Sequence, residues 1–238
     1  MGAQATESVM SGEKRYVLIT GANRGLGLHS ARLLAGRGWS VILACRKPEA
    51  AAPALEKLRA YDVTSVRLDV TDPESVSAAV RTVRGTAPKL HALVNNAGIF
   101  EHAEEHLSDA PDSVSRDLLL TNAWGPLMVT RHFLPLLRAA GGASVVNVTS
   151  QDADPENLDG TFTGYCMSKA ALNVMTANLA IALRADRVVV NGVDPGWIPT
   201  DMGGPEAPDA VADAAETVAA AVALAGTARS GDILRAVR

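Results

Sequence analysis

Residues 16–27 read YVLITGANRGLG. Tyr16, Val17, Leu18 and Ile19 make a short run without polar alternation, the mark of a strand buried on both faces. Three glycines follow, Gly21, Gly25 and Gly27, and then Leu28, Ala31, Leu34 and Ala35 recur at helical spacing. A strand that ends in glycines and opens a helix is a potential anion site. Gly21 permits a tight turn, Gly25 lets the backbone approach a diphosphate, and Gly27 lets the helix lie close to the sheet. The helix start adds free N–H groups and the positive end of its dipole. The glycines run G-x-x-x-G-x-G rather than G-x-G-x-x-G, so the turn alone also admits an ordinary connection.

The same texture repeats outward from this stretch. Further β-branched runs stand at 40–45, 65–70, 90–95, 144–150 and 187–193, and SGDILRAVR at the end reads as a last short strand. Helical stretches lie between them at 27–38, 74–85, 112–139 and 163–184. Asp72 before Pro73 is a cap followed by a first-turn proline. Strand and helix in alternation require crossovers and a parallel sheet. We expect one α/β domain over 14–238, doubly wound, with a seven-stranded parallel sheet between two helical layers. Residues 1–13 are polar and read as a loose tail. The segment 199–230 holds Pro199, Gly203, Gly204, Pro205 and Pro208 before an alanine-rich helix, and is expected to pass over the strand ends.

Composition excludes several classes of function. The 238 residues are 47% hydrophobic and 20% charged, which argues against disorder. A net charge of −4 and 4% aromatic residues give neither a basic field nor stacking platforms for nucleic acid. No apolar run is long enough for a membrane span, and none near the start suits a signal peptide. Cys45 and Cys166 cannot by themselves form a disulfide framework or a four-ligand zinc site, and they suit a reducing cytoplasm.

The motifs TGANRGLG (20–27), LDVTD (68–72), NNAG (95–98), Asn122 in TNAWG, VVNVTS ending at Ser150, YCMSK (165–169) and DPGWIPTDM (194–202) stand in this order. In that order the chain resembles the short-chain dehydrogenase/reductase family, in its carbonyl-reductase-like branch, over about residues 14–236. The resemblance implies a Rossmann-type fold and hydride transfer between NADP(H), or less readily NAD(H), and a ketone, aldehyde or secondary alcohol. It places the cofactor against Gly21, Asn23, Arg24, Gly25, Leu26, Gly27, Asp69, Val70, Asn95, Ala97 and Gly98. Further contacts fall on Tyr165, Lys169, Pro195, Gly196, Trp197, Ile198 and Thr200. Tyr165 is implied as the general acid and base, Lys169 as its electrostatic partner and ribose ligand, and Ser150 as the group that orients the carbonyl. Asn122 is implied to kink its helix and complete a proton relay.

Elementary chemistry supports parts of this. Tyr165 and Lys169 are four residues apart and share a helix face. A phenol with a pKa near 10 must lose about three units to exchange protons near pH 7, roughly 4 kcal/mol, and a nearby ammonium has the right sign. The second strand ends ILACRK, with no acid before Glu49 to hold a ribose hydroxyl. Arg46, with Arg24 in the glycine turn, would suit a 2′-phosphate instead; a solvated basic turn is the alternative.

HAEEH at 102–106 matches a zinc-peptidase pattern, but Asp109, Pro111 and Asp112 soon interrupt it, and we expect a polar loop and no metal. Asp152, Asp154, Glu156 and Asp159 make the stretch before Tyr165 acidic, either as solvated loop or as a rim unfriendly to anions. Phe100, Phe162, Trp197, Ile198 and Met202 would line an apolar pocket or serve packing. Leu172, Met175 and Leu179 would serve the core or a homodimer or homotetramer contact through the two long helices. The rival functions are a dinucleotide-binding or sensor protein without turnover and an NAD-using lyase or epimerase. Ser150, Tyr165 and Lys169 argue against the first, and the absence of an acid near Cys45 against the second.

Overall fold

A computed structural model describes residues 13–108 and 110–236. The tail expected over 1–13 therefore lies outside the described residues except for Glu13, which pairs with Lys89. The strands are β1 (Arg15–Thr20), β2 (Trp39–Cys45), β3 (Val63–Arg67), β4 (Ala92–Asn95), β5 (Ala143–Val148), β6 (Val188–Asp194) and β7 (Ile233–Arg235). They form one parallel sheet in the order β3-β2-β1-β4-β5-β6-β7. The helices are α1 (Gly25–Gly36), α2 (Ala52–Lys57), α3 (Pro73–Thr86), α4 (Asp112–Leu119), α5 (Gly125–Ala139), α6 (Thr163–Ala182) and α7 (Val211–Val222).

Alternate strand residues feed two cores. Val17, Ile19, Val41, Leu43, Val94 and Val146 pack with Ala31 and Leu34 of α1 and with Ala214, Val218 and Val222 of α7. Leu18, Ile42, Leu93, Val145 and Val190 pack on the other face with Val76 and Val83 of α3 and Phe133 of α5. This two-sided burial is why the central strands read as continuous apolar runs. Strand order reverses between β1 and β4, and the crevice beyond their carboxyl ends is where ligands bind in such sheets.

Several boundaries differ from the sequence expectation. β3 stops at Arg67, and Leu68–Val70 run on as a loop that carries Asp69 past the strand end. The segment 48–57, unassigned from sequence, forms a short 3₁₀ turn and α2. The excursion is shorter than 199–230. Only the stretch before α7 leaves the sheet, because Ala214, Ala215, Val218, Ala221 and Val222 of that helix are buried in the first core. On α6, Leu172 is buried and Leu179 packs on the second core, whereas Met167, Val174 and Ile181 face outward at seven-residue spacing.

A buried polar ladder ties the sheet to α5 and α6. Asn95 Nδ2 donates to Thr130 Oγ1 (3.1 Å) and Asn147 Oδ1 (2.8 Å). Asn147 Nδ2 donates to Thr176 Oγ1 (2.8 Å), and Thr176 donates to the Leu172 carbonyl (2.8 Å). Replacing Asn147 with Ala leaves these buried partners short of hydrogen bonds, at a cost of about 1–3 kcal/mol. We expect a lower urea midpoint with an unchanged slope, measured by circular dichroism.

Candidate active site

The glycine turn is a cradle closed to side chains. Gly21 and Gly25 have φ of +66° and +54°. A Cβ on Gly27 would lie 2.6 Å from Asn96 Nδ2 and 2.8 Å from the Gly21 carbonyl oxygen. Thr20 fixes the turn to β4: its Oγ1 accepts from the N–H groups of Asn96 and Ala97, both at 3.0 Å. Asn96 Nδ2 donates back to the Thr20 carbonyl at 2.8 Å. No side chain caps the start of α1 and no acid stands in its first turn, so its N–H groups keep their capacity for an anion. Thr200 lies across this turn, with its methyl 3.6 Å from where a Gly25 Cβ would be. The residues present therefore fit a dinucleotide diphosphate.

The other expected contacts divide. Gly98 sits beside two buried polar groups: a Cβ there would be 3.7 Å from Lys169 Nζ and 3.2 Å from Asn122 Oδ1. Asp69 stands at the mouth, with its carboxylate accepting from Thr71 N–H and Oγ1. Arg46 is exposed at the end of β2. Asn23 and Ala97 are half-buried in the turns after β1 and β4. Asn95 is a correction, because its side chain belongs to the interior ladder and does not line the crevice. Leu26, Ile198 and Val70 likewise bury their side chains, the first two in the core under α1 and Val70 against Gly125, which leaves only backbone for a ligand. Pro195 is buried too, and Gly196 (φ +73°) admits no Cβ because Asp209 fills that space. The Trp197 indole donates to the Gly203 carbonyl at 2.7 Å.

Tyr165 and Lys169 occupy the first turns of α6 and are both buried. Lys169 Nζ lies 5.6 Å from the Tyr165 ring centroid and donates to the Val148 carbonyl at 2.9 Å. The Ser150 hydroxyl, just beyond β5, accepts from the Asp152 N–H at 3.2 Å and lies close enough to the Tyr165 phenol to favour its ionised form. Burial lowers the Lys169 pKa to about 8, while the charge of Asp152 opposes that shift. Burial likewise pushes the Tyr165 phenol far above its ordinary value, Asp152 adds to this, and Ser150 counters it. In the cofactor-free protein burial is the leading influence on the phenol.

Asn122 lies in a π-helical turn, Leu120–Trp124, between α4 and α5. Its Oδ1 accepts from Ile99 N–H at 2.8 Å, and its Nδ2 donates to the Ile99 carbonyl (2.9 Å) and Ser168 Oγ (3.1 Å). Pro126 accounts for the wide turn. It has no N–H to give the Asn122 carbonyl, and its ring would collide with that carbonyl in an α-helix.

Glu104 is the residue that sequence reasoning missed. HAEEH folds as a 3₁₀ turn over His102–Glu104, and its middle acid is 4% exposed. Glu104 Oε2 accepts from Tyr165 N–H at 2.9 Å, Oε1 accepts from Ser115 Oγ, and the Glu104 carbonyl accepts from Phe162 N–H at 3.2 Å. A carboxylate thus caps the start of α6 from outside the helix. Phe100 stacks edge-on to Tyr165 (5.0 Å) and packs on Phe162 (4.7 Å), so both phenylalanines serve the tyrosine rather than an open apolar pocket. Gly164 was the available signal, since a Cβ there would overlap Glu104.

The family model for short chain dehydrogenase matches residues 15–210. The chain belongs to the short-chain dehydrogenase family. An uncharacterized oxidoreductase of Schizosaccharomyces pombe is 32% identical over 196 residues, which cover 81% of this chain and 77% of that one. A galactitol 2-dehydrogenase (L-tagatose-forming) of Cereibacter sphaeroides is 32% identical over 184 residues, covering 77% and 71%. The crystal structure of an NADPH-bound carbonyl reductase from chicken fatty liver matches with a TM-score of 0.85 at 30% identity, covering 94% of this chain and 96% of that one. As a short-chain dehydrogenase the chain is an oxidoreductase whose fold binds a nicotinamide dinucleotide.

The depressed Lys169 pKa fixes a sign for stability. The unfolded lysine holds its proton up to the ordinary value near 10.4, whereas the folded one loses it above about 8. The unfolded state binds more protons across that window, so this group makes the fold more stable as pH rises from 8 toward 10.4. Relative to Lys169→Met, the cofactor-free wild type should gain thermal stability between pH 8 and 10 and show no such trend between pH 6 and 7.

Proposed function

We propose that this short-chain dehydrogenase reduces ketones or aldehydes with NADPH, reversibly, in a reducing cytoplasm. The observation that carries the reading is the convergence of Ser150, the Tyr165 phenol and Lys169, whose Nζ lies 5.6 Å from the Tyr165 ring centroid, beside Gly98 and the glycine turn. A bound nicotinamide supplies the hydride. Ser150 holds the substrate oxygen and Tyr165 gives it a proton; a phenol kept protonated by burial suits that role. The Lys169 ammonium then stabilises the phenolate that remains. Both ends of the Asn122 side chain are committed to Ile99 and Ser168, so a relay through this residue uses its main-chain carbonyl.

Arg46 supports the cofactor choice. It ends β2 where an acid would hold a ribose hydroxyl, and it makes no ion pair among the described residues. Arg24 pairs with Asp201, but both side chains are exposed and such a pair is worth little, so a phosphate can replace it. The name of the chicken structure, NADPH-bound carbonyl reductase, points the same way. Met167, Val174 and Ile181 on α6, with Leu120 and Trp124 in the π turn, form the exposed apolar face through which the two long helices would pair copies of the chain.

Tyr165→Phe should abolish NADPH-dependent carbonyl reduction while keeping the NADPH Kd within a few-fold, because the phenol proton serves the transition state alone. Residual wild-type turnover would remove the mechanism. Arg46→Asp should reverse the preference for NADPH over NADH, read as the ratio of kcat/KM values at fixed ionic strength. An unchanged ratio would detach Arg46 from the cofactor.

A further inference from the structure

The start of α6 is capped from far along the chain. Phe162 opens this helix and has no side-chain acceptor, whereas at α3 the local Asp72 side chain accepts from Glu74 N–H at 2.9 Å. The Tyr165 N–H is taken instead by Glu104 Oε2 at 2.9 Å, across a separation of 61 residues. A local cap would hold the helix together as well. A distant one also fixes the helix, at the tyrosine itself, to the segment that follows β4.

That segment grips Tyr165 at both ends. Phe100 meets the ring edge-on at 5.0 Å, and Glu104 takes the main-chain N–H. The Glu104 carbonyl accepts from Phe162 N–H at 3.2 Å, and the Phe162 ring packs on Phe100 at 4.7 Å. Phe162 has φ +49° and ψ +43°, a left-handed backbone that a bulky residue keeps only where its surroundings impose it. The same segment begins at Gly98, beside Lys169 Nζ. The other Glu104 oxygen accepts from Ser115 Oγ, which ties in α4, the helix that runs on into the π turn of Asn122.

Glu104 points at the backbone and not at the phenol. The carboxylates whose charge acts on the Tyr165 hydroxyl are Asp152 and Asp194. Glu104 directs its two oxygens to an N–H and a hydroxyl, and Gly164 leaves it the room, since a Cβ there would overlap it.

We propose that Glu104 is a positioning residue for carbonyl reduction, acting through the Tyr165 main chain to set where the phenol stands relative to the end of β4. The inference rests on the carbonyl-reductase reading above. A reacting group displaced by about 1 Å loses roughly a hundredfold in rate. A glutamine can do both tasks of Glu104, because its oxygen accepts from Tyr165 N–H and its NH₂ donates to the Ser115 hydroxyl. An alanine can do neither.

The test measures kcat, KM and NADPH Kd with acetophenone, cyclohexanone and benzaldehyde, and counts sites by stoichiometric NADPH fluorescence so that misfolded protein is not scored. Glu104→Ala should lower kcat per site by roughly tenfold to a hundredfold, with KM and Kd within a few-fold. Its solvent deuterium isotope effect on kcat should rise, because proton transfer from Tyr165 is the step that slows. Glu104→Gln should return kcat to within a few-fold of wild type and leave its pH profile in place. Glu104→Asp, which keeps the charge and shortens the reach by one methylene, should also lose kcat, so the test survives if Glu104→Ala does not fold. Gly164→Ala should lower kcat in the wild-type background and add little in Glu104→Ala, since both act at one junction. Wild-type kcat per site in Glu104→Ala or Glu104→Asp overturns the proposal. A displaced pH profile in Glu104→Gln also overturns it, by giving the carboxylate an electrostatic role, as do losses in Gly164→Ala and Glu104→Ala that simply add. If wild type binds NADPH but reduces none of the three compounds, the carbonyl-reductase reading fails and this inference with it; an active wild type with an equally active Glu104→Ala removes the positioning role alone.

Discussion

Lys169 is an ammonium almost wholly removed from water, and among the described residues its hydrogen bond goes to the Val148 carbonyl. Burying such a charge is costly unless the site gives something back. Much of the neighbouring structure serves to make that burial tolerable and useful. β5 ends where its last carbonyl can accept from Nζ. Gly98 keeps the adjacent space free of side-chain atoms, and Asn122 occupies the far side. Asp152 returns part of the lost solvation through its charge, at the expense of the phenol beside it. Burial displaces all three groups from their ordinary titration, and the charges of Lys169 and Asp152 pull each other part of the way back.

Position matters as much as charge. Four separate segments must meet within hydrogen-bonding distance: the ends of β4 and β5, the π turn and the start of α6. The Glu104 carboxylate performs one junction by binding the Tyr165 N–H and the Ser115 hydroxyl, thereby joining α4 to α6. The ladder from Asn95 through Asn147 to Thr176 performs another, deeper in the molecule. Both are buried polar constructions, expensive to break, although Asn95 Oδ1 has no partner among the described residues. The candidate site is thus held by hydrogen bonds at its back and by aromatic packing of Phe100 and Phe162 at its front.

The sheet was legible because its central strands are apolar on both faces; YVLIT and SVVNV announce themselves locally. The glycine turn was legible because φ near +60° and close backbone approach leave almost no residue but glycine. Tyr165 and Lys169 were legible through the family resemblance of YCMSK, and their spacing puts them on one helix face. What escaped the sequence depends on distant partners. Glu104 sits in a string of charges and looks solvated until α6 is seen to close over it. Asn95 was assigned to the crevice through the family resemblance of NNAG, but its side chain turns inward to Thr130 and Asn147. The helix at 211–222 was read as part of an excursion because alanines signal burial weakly, yet Ala214, Ala215 and Ala221 let it lie close to the sheet. Pro126 did carry a readable signal, since a proline inside a helical run must disturb the residue four before it.

That proline gives the π turn a particular character. A widened helix held only by side-chain contacts could tighten when a ligand leaves and open when one arrives. Here the missing N–H is covalent, so no state of the folded chain can return the Asn122 carbonyl to an ordinary α-helical bond. The irregularity behind the reacting groups is written into the backbone as a permanent fixture. It owes nothing to occupancy.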